Sequence, residues 1–270
     1  NTVKMLKDEI IPNLQQHFPE VTKPSIYRLQ TFGVGESTLQ AIIDDNLPNW
    51  SKDLTIGFRA AMPLLEVKIA PLNSQGVKAL ASYQQALNQL LGDHILHIGK
   101  SDKTTIAEYV VPLLTKSAQK ITVAESCTGG LIASQITAIA GSSAVFEAGY
   151  VTYSNDMKTK MLDVPSATLT NHGAVSEATV LAMAKGALEK SNADYAIAVS
   201  GIAGPDGGTT DKPTGSVWIA WGTKETLQAK YHYIPLARRQ FQQVVAARGL
   251  DLIRRMLINS KERPNYERSS

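Results

Sequence analysis

ITVAESCTGGLIASQIT, residues 121–137, is the stretch on which the fold turns. Its start is an apolar strand (KITVAES), its middle a Gly129-Gly130 turn, and its end the beginning of a helix running from Leu131 to Ala140. A strand that passes through a glycine turn straight into a helix is the building unit of an open α/β sheet. Upstream, Thr104–Ala118 carries a helical stripe of Ile106, Tyr109, Val110, Leu113 and Leu114. Downstream, FEAGYVTYS and DYAIAVSG read as strands, separated by a helix over Ser176–Glu189 with Ser176 as its N-cap. SVWIAWGT and LQAKYHYI then read as a hairpin, and Phe241–Ile258 as a closing helix. The pattern predicts an α/β three-layer sandwich with a mostly parallel open sheet and an antiparallel hairpin at one side. In such sheets ligands sit outside the carboxyl ends of the strands.

The first hundred residues follow another order. SIYRLQTFGV reads as a strand, Glu36–Asp45 as a helix, DLTIGFRA and LLEVKIAPL as strands, Ser74–Leu91 as a helix and HILHIG as a strand. This βαββαβ order describes a small split α+β sandwich with its helices on one face. His94 and His97 lie three apart without a third ligand nearby, so no metal site is expected. Before this unit, Met5, Leu6, Ile10, Ile11, Leu14 and Phe18 have helical spacing ended near Pro19. Because Asn1 is no natural initiator, residues 1–22 are expected to be a helix left from an earlier domain. The expected boundaries are 23–100 for the small α+β domain, 101–260 for the α/β domain and 261–270 for a polar tail.

Composition narrows the class. In 270 residues, 43% are hydrophobic and 19% charged, enough to build a core and too patterned for disorder. The single cysteine, Cys127, forbids an internal disulfide and a cysteine zinc cage, which fits a reducing, cytoplasmic setting. The opening residues lack the basic leader and apolar run of a signal peptide. The charge-free stretch Cys127–Phe146 is too rich in Thr, Ser, Gln and Gly for a membrane span. Residues 235–270 carry eight basic and three acidic groups with only two aromatics, Phe241 and Tyr266, too few to interleave with them, so nucleic-acid binding is not expected.

Three constellations could carry chemistry. In Glu125-Ser126-Cys127-Thr128-Gly129-Gly130, glycines before a helix start offer backbone N–H groups to an anion or oxyanion. Position alone leaves Ser126 open between nucleophile and helix cap, with Cys127 as rival nucleophile. In Tyr153-Ser154-Asn155-Asp156-Met157-Lys158, at a strand end, a desolvated Lys158 could activate a serine, or be an ordinary loop lysine. His172 is another candidate base. Tyr153 and Lys158 are five apart, about 140° around a helix, and no Gly-x-Gly-x-x-Gly follows a first strand, so a short-chain reductase is a poor fit. The third constellation is the glycine-rich loop Ser200–Gly208, running on to Gly215, which lacks a Walker lysine. Arg238 and Arg239, at the start of the last helix, could clamp a phosphate.

At these residues the chain resembles the CinA family, and its second half resembles that family's nicotinamide mononucleotide deamidase domain. The matching motifs are ITVAESCTGGLIASQIT, AGYVTYSNDMKTKMLDV, HGAVSEATV and AVSGIAGPDGGTTDKPTGSVWIA. TFGVGESTL and IGFRAAMPLLEVKIAP resemble the small KH-like domain joining the family's larger domains. The family's N-terminal domain, similar to molybdopterin-binding proteins, is not matched, so its ADP-ribose pyrophosphatase activity is not expected here. The resemblance implies hydrolysis of nicotinamide mononucleotide to nicotinic acid mononucleotide and ammonia, a step of pyridine nucleotide salvage. It implies Ser126 as nucleophile, Lys158 as general base and Tyr153 as assistant, with no cofactor and no metal. It implies a substrate site of Thr128, Gly129, Gly130, Asn155, Gly201, Ile202, Ala203, Gly204 and Arg238. In that reading the Thr128–Gly130 turn donates to the oxyanion and Arg238 meets the phosphate. Where the family reads Gly-Asp-Arg, this chain has Leu236-Ala237-Arg238, and a further basic position a turn later is Gln242. Family members suggest a homodimer. The rival readings are a non-catalytic nucleotide-sensing or scaffold module, and nucleic-acid binding by the KH-like unit, which lacks a Gly-x-x-Gly clamp.

Overall fold

The α/β unit is a five-stranded sheet whose central strands are buried on both faces. The computed structural model describes residues 2–18 and 26–268. The strands are β5 (Ile121–Glu125), β6 (Phe146–Val151), β7 (Tyr195–Gly201), β8 (Ser216–Gly222) and β9 (Gln228–Tyr233), in the order β6-β5-β7-β8-β9. β5 pairs in parallel with both β6 and β7, whereas β7–β8 and β8–β9 are antiparallel. The sheet is mixed, with β8 alone running against the other four strands, so most strands are parallel as expected and the short β8–β9 connection forms the expected hairpin.

Helices cover both faces. On one side α5 (Ala107–Ser117), α6 (Leu131–Thr137) and α10 (Arg238–Leu257) pack over Ile121, Val123, Ile197, Val199 and Ile219. On the other, α9 (Glu177–Ser191), with α7 (Asn155–Leu162) and α8 (Ser166–His172) beside it, packs over Ala124, Ala196, Ala198 and Ala220. Alternation along each strand sends successive side chains to opposite layers. The small alanines of the second face let α9 approach closely. Ser176 caps α9 by accepting from Thr179 N at 3.3 Å.

The small unit follows the βαββαβ order. Its strands β1 (Tyr27–Thr31), β2 (Leu54–Ala61), β3 (Leu64–Pro71) and β4 (Ile95–Ile98) form an antiparallel sheet of order β2-β3-β1-β4. α3 (Glu36–Asn46) and α4 (Ser74–Leu91) close a core with Leu29, Val67 and Ile69. The Asn73 side chain caps α4 by accepting from Gln75 N and Gly76 N. His94 is structural, its Nδ1 lying 2.9 Å from Phe32 O. The N-terminal segment forms α1 (Thr2–Met5), a π-helical turn over Leu6–Ile10 and α2 (Ile11–His17), and Met5, Leu6, Ile10, Leu14 and Phe18 are exposed. Its expected end at Pro19 and the boundary at 22/23 lie outside the described residues. Among the described residues no helix is long and apolar enough to cross a membrane.

A buried polar clasp joins the two sheets. Asp251 on α10 is fully buried and pairs with Arg254 Nε at 2.7 Å and Arg255 Nε at 2.9 Å. Both guanidinium groups also donate to Asp93 O, at 2.6 and 3.3 Å, and Glu262 accepts from Asp93 N at 3.0 Å. Tyr266, on α11 (Asn265–Arg268), is 8% exposed and donates to Asp251 Oδ2 at 2.6 Å. The segment after 260 thus differs from a polar tail: its one aromatic is anchored on a buried carboxylate. Removing that carboxylate strands two arginines in a dry site. Asp251→Ala is expected to cost about 3–5 kcal/mol of stability, read as a lower denaturant midpoint, while Tyr266→Phe costs less.

Candidate active site

The carboxyl ends of the three parallel strands form one rim. Glu125 and Ser126 are consecutive, so they face opposite layers. Glu125 turns toward α6, where its fully buried carboxylate accepts from Gly130 N at 3.0 Å, Ile132 N at 3.1 Å and Ala133 N at 2.8 Å. It caps that helix and pins the turn after the strand. Ser126 turns to the α7 and α9 layer, its own N–H donating to Val199 O at 3.1 Å.

Lys158 reaches Ser126 from α7. Its Nζ lies 3.1 Å from Ser126 Oγ, 2.9 Å from Thr152 O and 3.4 Å from Tyr153 O. The side chain is 1% exposed, and burial lowers its pKa from the ordinary 10.5. Lys158 was expected in a loop after a strand; it sits instead in a helix, because Ser154 Oγ caps α7 by accepting from Met157 N at 3.2 Å. The neighbouring thiol has the opposite fate. Burial pushes Cys127 up to about 12, leaving it a protonated, packed side chain.

A cleft of about 220 Å³ opens over this pair. It is lined by Ser126, Lys158, Tyr153, Asn155, Gly201, Ala203 and Arg238, together with Cys127, Ala174, Val175 and Ser200. Tyr153 is 61% exposed at the rim, where its hydroxyl accepts from Arg238 at 3.0 Å, and Arg238 also donates to Gly204 O at 2.9 Å. Gly201 is needed where it stands, since a Cβ there would lie 2.6 Å from Ser216 O.

Several expected site residues fall elsewhere. Thr128, Gly129 and Gly130 line a separate groove of about 380 Å³ with Arg239, Gln242 and Gln243. Gly129 N already donates to Ser126 O at 3.1 Å and Gly130 N to Glu125, so neither N–H is free for an oxyanion. Ile202 is tied to the hairpin, its N–H donating to Ser216 O at 2.8 Å, and Gly204 meets the cleft only through Arg238. His172 is exposed and outside the cleft lining. Ser200, Ala174 and Val175 were not read as site residues. For Ser200 a signal existed: its parity with Ala196 and Ala198 places it on the same face as Ser126. Larger hollows beside β9 and between Asn46 and Ala86 contain no paired nucleophile and base.

The fold and this site define an α/β protein with a serine and a buried lysine in contact at the strand ends. Residues 103–257 match the family described as the CinA C-terminal domain, and the chain belongs to that family. It is 49% identical over 262 residues to a CinA-like protein of Colwellia psychrerythraea, covering 97% of this chain and 61% of the relative. It is 40% identical over 257 residues to a CinA-like protein of Shewanella woodyi, covering 94% of this chain and 59% of that one. The chain thus spans about 60% of the length of these curated relatives. Among solved structures it is similar to the competence/damage inducible protein CihA from Agrobacterium tumefaciens, at 42% identity and a TM-score of 0.54, over 58% of this chain and 94% of that one. It is also similar to a CinA superfamily protein from Klebsiella pneumoniae, at 34% identity and a TM-score of 0.55, over 57% and 96% of the two chains.

If the thiol is only packing, chemistry at this cleft does not need it. Cys127→Ala is expected to keep any turnover at this cleft within about threefold of wild type, and iodoacetamide is expected to leave the folded wild type unmodified on mass analysis at pH 7.5. Loss of activity in Cys127→Ala with an unchanged unfolding midpoint would return the thiol to the list of nucleophiles.

Proposed function

We propose that this cleft is an amidohydrolase site acting on nicotinamide mononucleotide, giving nicotinic acid mononucleotide and ammonia. The observation that carries the reading is the 3.1 Å contact between Ser126 Oγ and a lysine Nζ that burial favours in its neutral form. A neutral amine beside a hydroxyl is the arrangement used by serine–lysine nucleophiles. Membership of the CinA family, and the motif likeness to its deamidase domain, support the choice of substrate.

The steps follow from the placement. Lys158 takes the Ser126 proton as Oγ bonds to the carboxamide carbon. The tetrahedral adduct collapses with breakage of the C–N bond, and Lys158 returns the proton to the leaving nitrogen, which departs as ammonia. Water then attacks the acyl-serine, giving a proton to Lys158, and the ester breaks to release the carboxylate and regenerate Ser126. Arg238 lines the rim of the cleft, where the phosphate of a mononucleotide would extend once its carboxamide has entered. Tyr153, bonded to Arg238, holds that guanidinium over the opening. Homodimerisation belongs to the same reading by family likeness.

The decisive assay is ammonia release from nicotinamide mononucleotide by the purified chain. Wild type is expected to turn over, with Ser126→Ala and Lys158→Ala lowered by about 10²–10⁴-fold. The neutral fraction of Lys158 grows as pH rises, so kcat/KM is expected to climb along an alkaline-going limb. Because the folded pKa lies below the ordinary value, the midpoint of that limb falls below 10.5. A midpoint at or above 10.5, or equal rates in wild type and Lys158→Ala, removes lysine as the base. Tight binding of the nucleotide without ammonia release would favour the sensing module instead.

A further inference from the structure

Acyl transfer also needs donors for the charge that develops on the carbonyl oxygen, and the turn after Ser126 has spent most of its own. Gly129 N donates to Ser126 O, Leu131 N to Thr128 O, and the N–H groups of Gly130, Ile132 and Ala133 to the two oxygens of Glu125. The glycine turn that looks like an anion cradle is filled by a carboxylate of the same chain. Among the described residues Cys127 N and Thr128 N alone in this turn are left without an acceptor, and a further donor stands on another side of the cleft.

Register identifies it. β5 and β7 pair with Glu125 opposite Val199, and Ser126 N continues the ladder by donating to Val199 O at 3.1 Å. The next residues along, Ser126 and Ser200, therefore stand side by side, separated by one strand spacing of about 4.8 Å. They share a face, because Ala124 and Ala198, two residues earlier on each strand, both belong to the α9 layer. β6 completes the row on the far side: Val151 lies opposite Glu125, so Thr152 is the next residue there. Three hydroxyl side chains, Thr152, Ser126 and Ser200, thus cross the ends of three parallel strands in one line.

The three are not equivalent. Lys158 Nζ sits at the β6 end of the row, bonded to Thr152 O, and Thr152 Oγ1 is fully enclosed. A carboxamide approaching Ser126 finds that end occupied by the lysine and its open side over β7. Ser200 is there. It lines the cleft, it is 2% exposed, and among the described residues its hydroxyl has no hydrogen-bond partner in the protein. A hydroxyl placed in a nearly dry cleft with its donor uncommitted is suited to an oxygen that gains charge during reaction.

We propose that the Ser200 hydroxyl donates to the oxygen of the scissile carbonyl and stabilises the oxyanion when Ser126 adds to the carbon. Ser200 is then a catalytic residue that touches the reacting group, and it does not take part in bond making or proton transfer. The assignment rests on the acyl-transfer reading of the Ser126–Lys158 pair.

The test uses the purified chain as wild type, Ser126→Ala, Ser200→Ala and Ser200→Thr. Each is assayed for ammonia release from nicotinamide mononucleotide and for hydrolysis of p-nitrophenyl acetate above the Ser126→Ala background, with thermal unfolding in parallel. Ser200→Ala is expected to lose about 10²–10³-fold in kcat with KM within about threefold, at an unchanged unfolding midpoint. Ser200→Thr, which keeps the donor, is expected to recover most of that loss. Wild-type kcat in Ser200→Ala, a loss confined to KM, or a loss tracking a lower midpoint that Thr does not rescue, overturns the assignment. If wild type hydrolyses the ester but not the nucleotide, and Ser200→Ala impairs the ester reaction, the nucleotide reading falls and the role of Ser200 stands. Wild type inactive on both removes both.

Discussion

An amine that has given up its water and has no negative charge beside it holds its proton less tightly, and Lys158 is such an amine. The oxygens around its Nζ are two peptide carbonyls and one hydroxyl, none of which carries a formal charge. Taking an ammonium out of water without a counter-ion is costly, so burial lowers the Lys158 pKa from 10.5 and eases loss of its proton. The rest of the α/β unit is arranged around this constraint. α7 delivers the side chain from above the sheet, the end of β6 offers the carbonyls, and the end of β5 offers the hydroxyl. The buried lysine weakens the fold as a fold. At pH values below its lowered folded pKa the native state must hold a charge in a dry site, and the unfolded chain carries no such penalty.

Adjacent residues on β5 divide the work that makes this possible. Because strand side chains alternate, Glu125 and Ser126 enter different layers although one peptide bond joins them. Glu125 spends its charge on the first turn of α6, where three N–H groups would otherwise be buried without partners. That cap fixes the chain direction on leaving the strand and so fixes Ser126. It also keeps the carboxylate away from Lys158: on the other face it would pair with the ammonium and hold it charged. A one-residue slip of β5 against β6 and β7 would exchange these roles, and the continuous burial of β5 on both faces is what opposes such a slip.

The parts that could be read from residues alone are those whose side chains report their own surroundings. β5 and β7 are legible because both faces are buried, which leaves near-continuous apolar runs, and α4 is legible over Ser74–Leu91 because its buried Leu80, Leu87 and Leu91 recur at helical spacing. α7 was not, for a physical reason: its inward face is made by Lys158 and Leu162, so a buried position carries a residue that every hydropathy pattern counts as exposed. Tyr266 is the same case in a segment of otherwise polar residues, since its burial depends on Asp251, fifteen positions earlier. The Thr128–Gly130 turn misled in the other direction. Gly130 N looks free until Glu125, five residues earlier, folds back onto it, and Gly129 N until it closes onto Ser126 O. Ser126, Lys158, Tyr153, Asn155 and Arg238 do share one cleft, because Ser126 and Tyr153 follow strand ends and Asn155, Lys158 and Arg238 stand on the first turns of α7 and α10, which begin at the same rim.

The Leu236-Ala237-Arg238 approach to α10 bears on the charge at the mouth of that cleft. Ala237 is the N-cap of α10 and offers no side-chain acceptor, while Phe241 N is the first amide to bond within the helix, to Ala237 O. The N–H groups of residues 238–240 therefore lack intrahelical partners, and the positive end of a twenty-residue helix is left uncapped. An aspartate at this position would fill one of those sites and set a carboxylate beside Arg238. Alanine does neither. Arg238 is held by Gly204 O and the Tyr153 hydroxyl, both uncharged, and it forms no salt bridge among the described residues. Ala237 thus leaves no side-chain acceptor at the cap to compete with an incoming anion. It makes the rim more positive, and it leaves Tyr153 and Gly204 to orient the guanidinium that an acidic cap would otherwise have steadied.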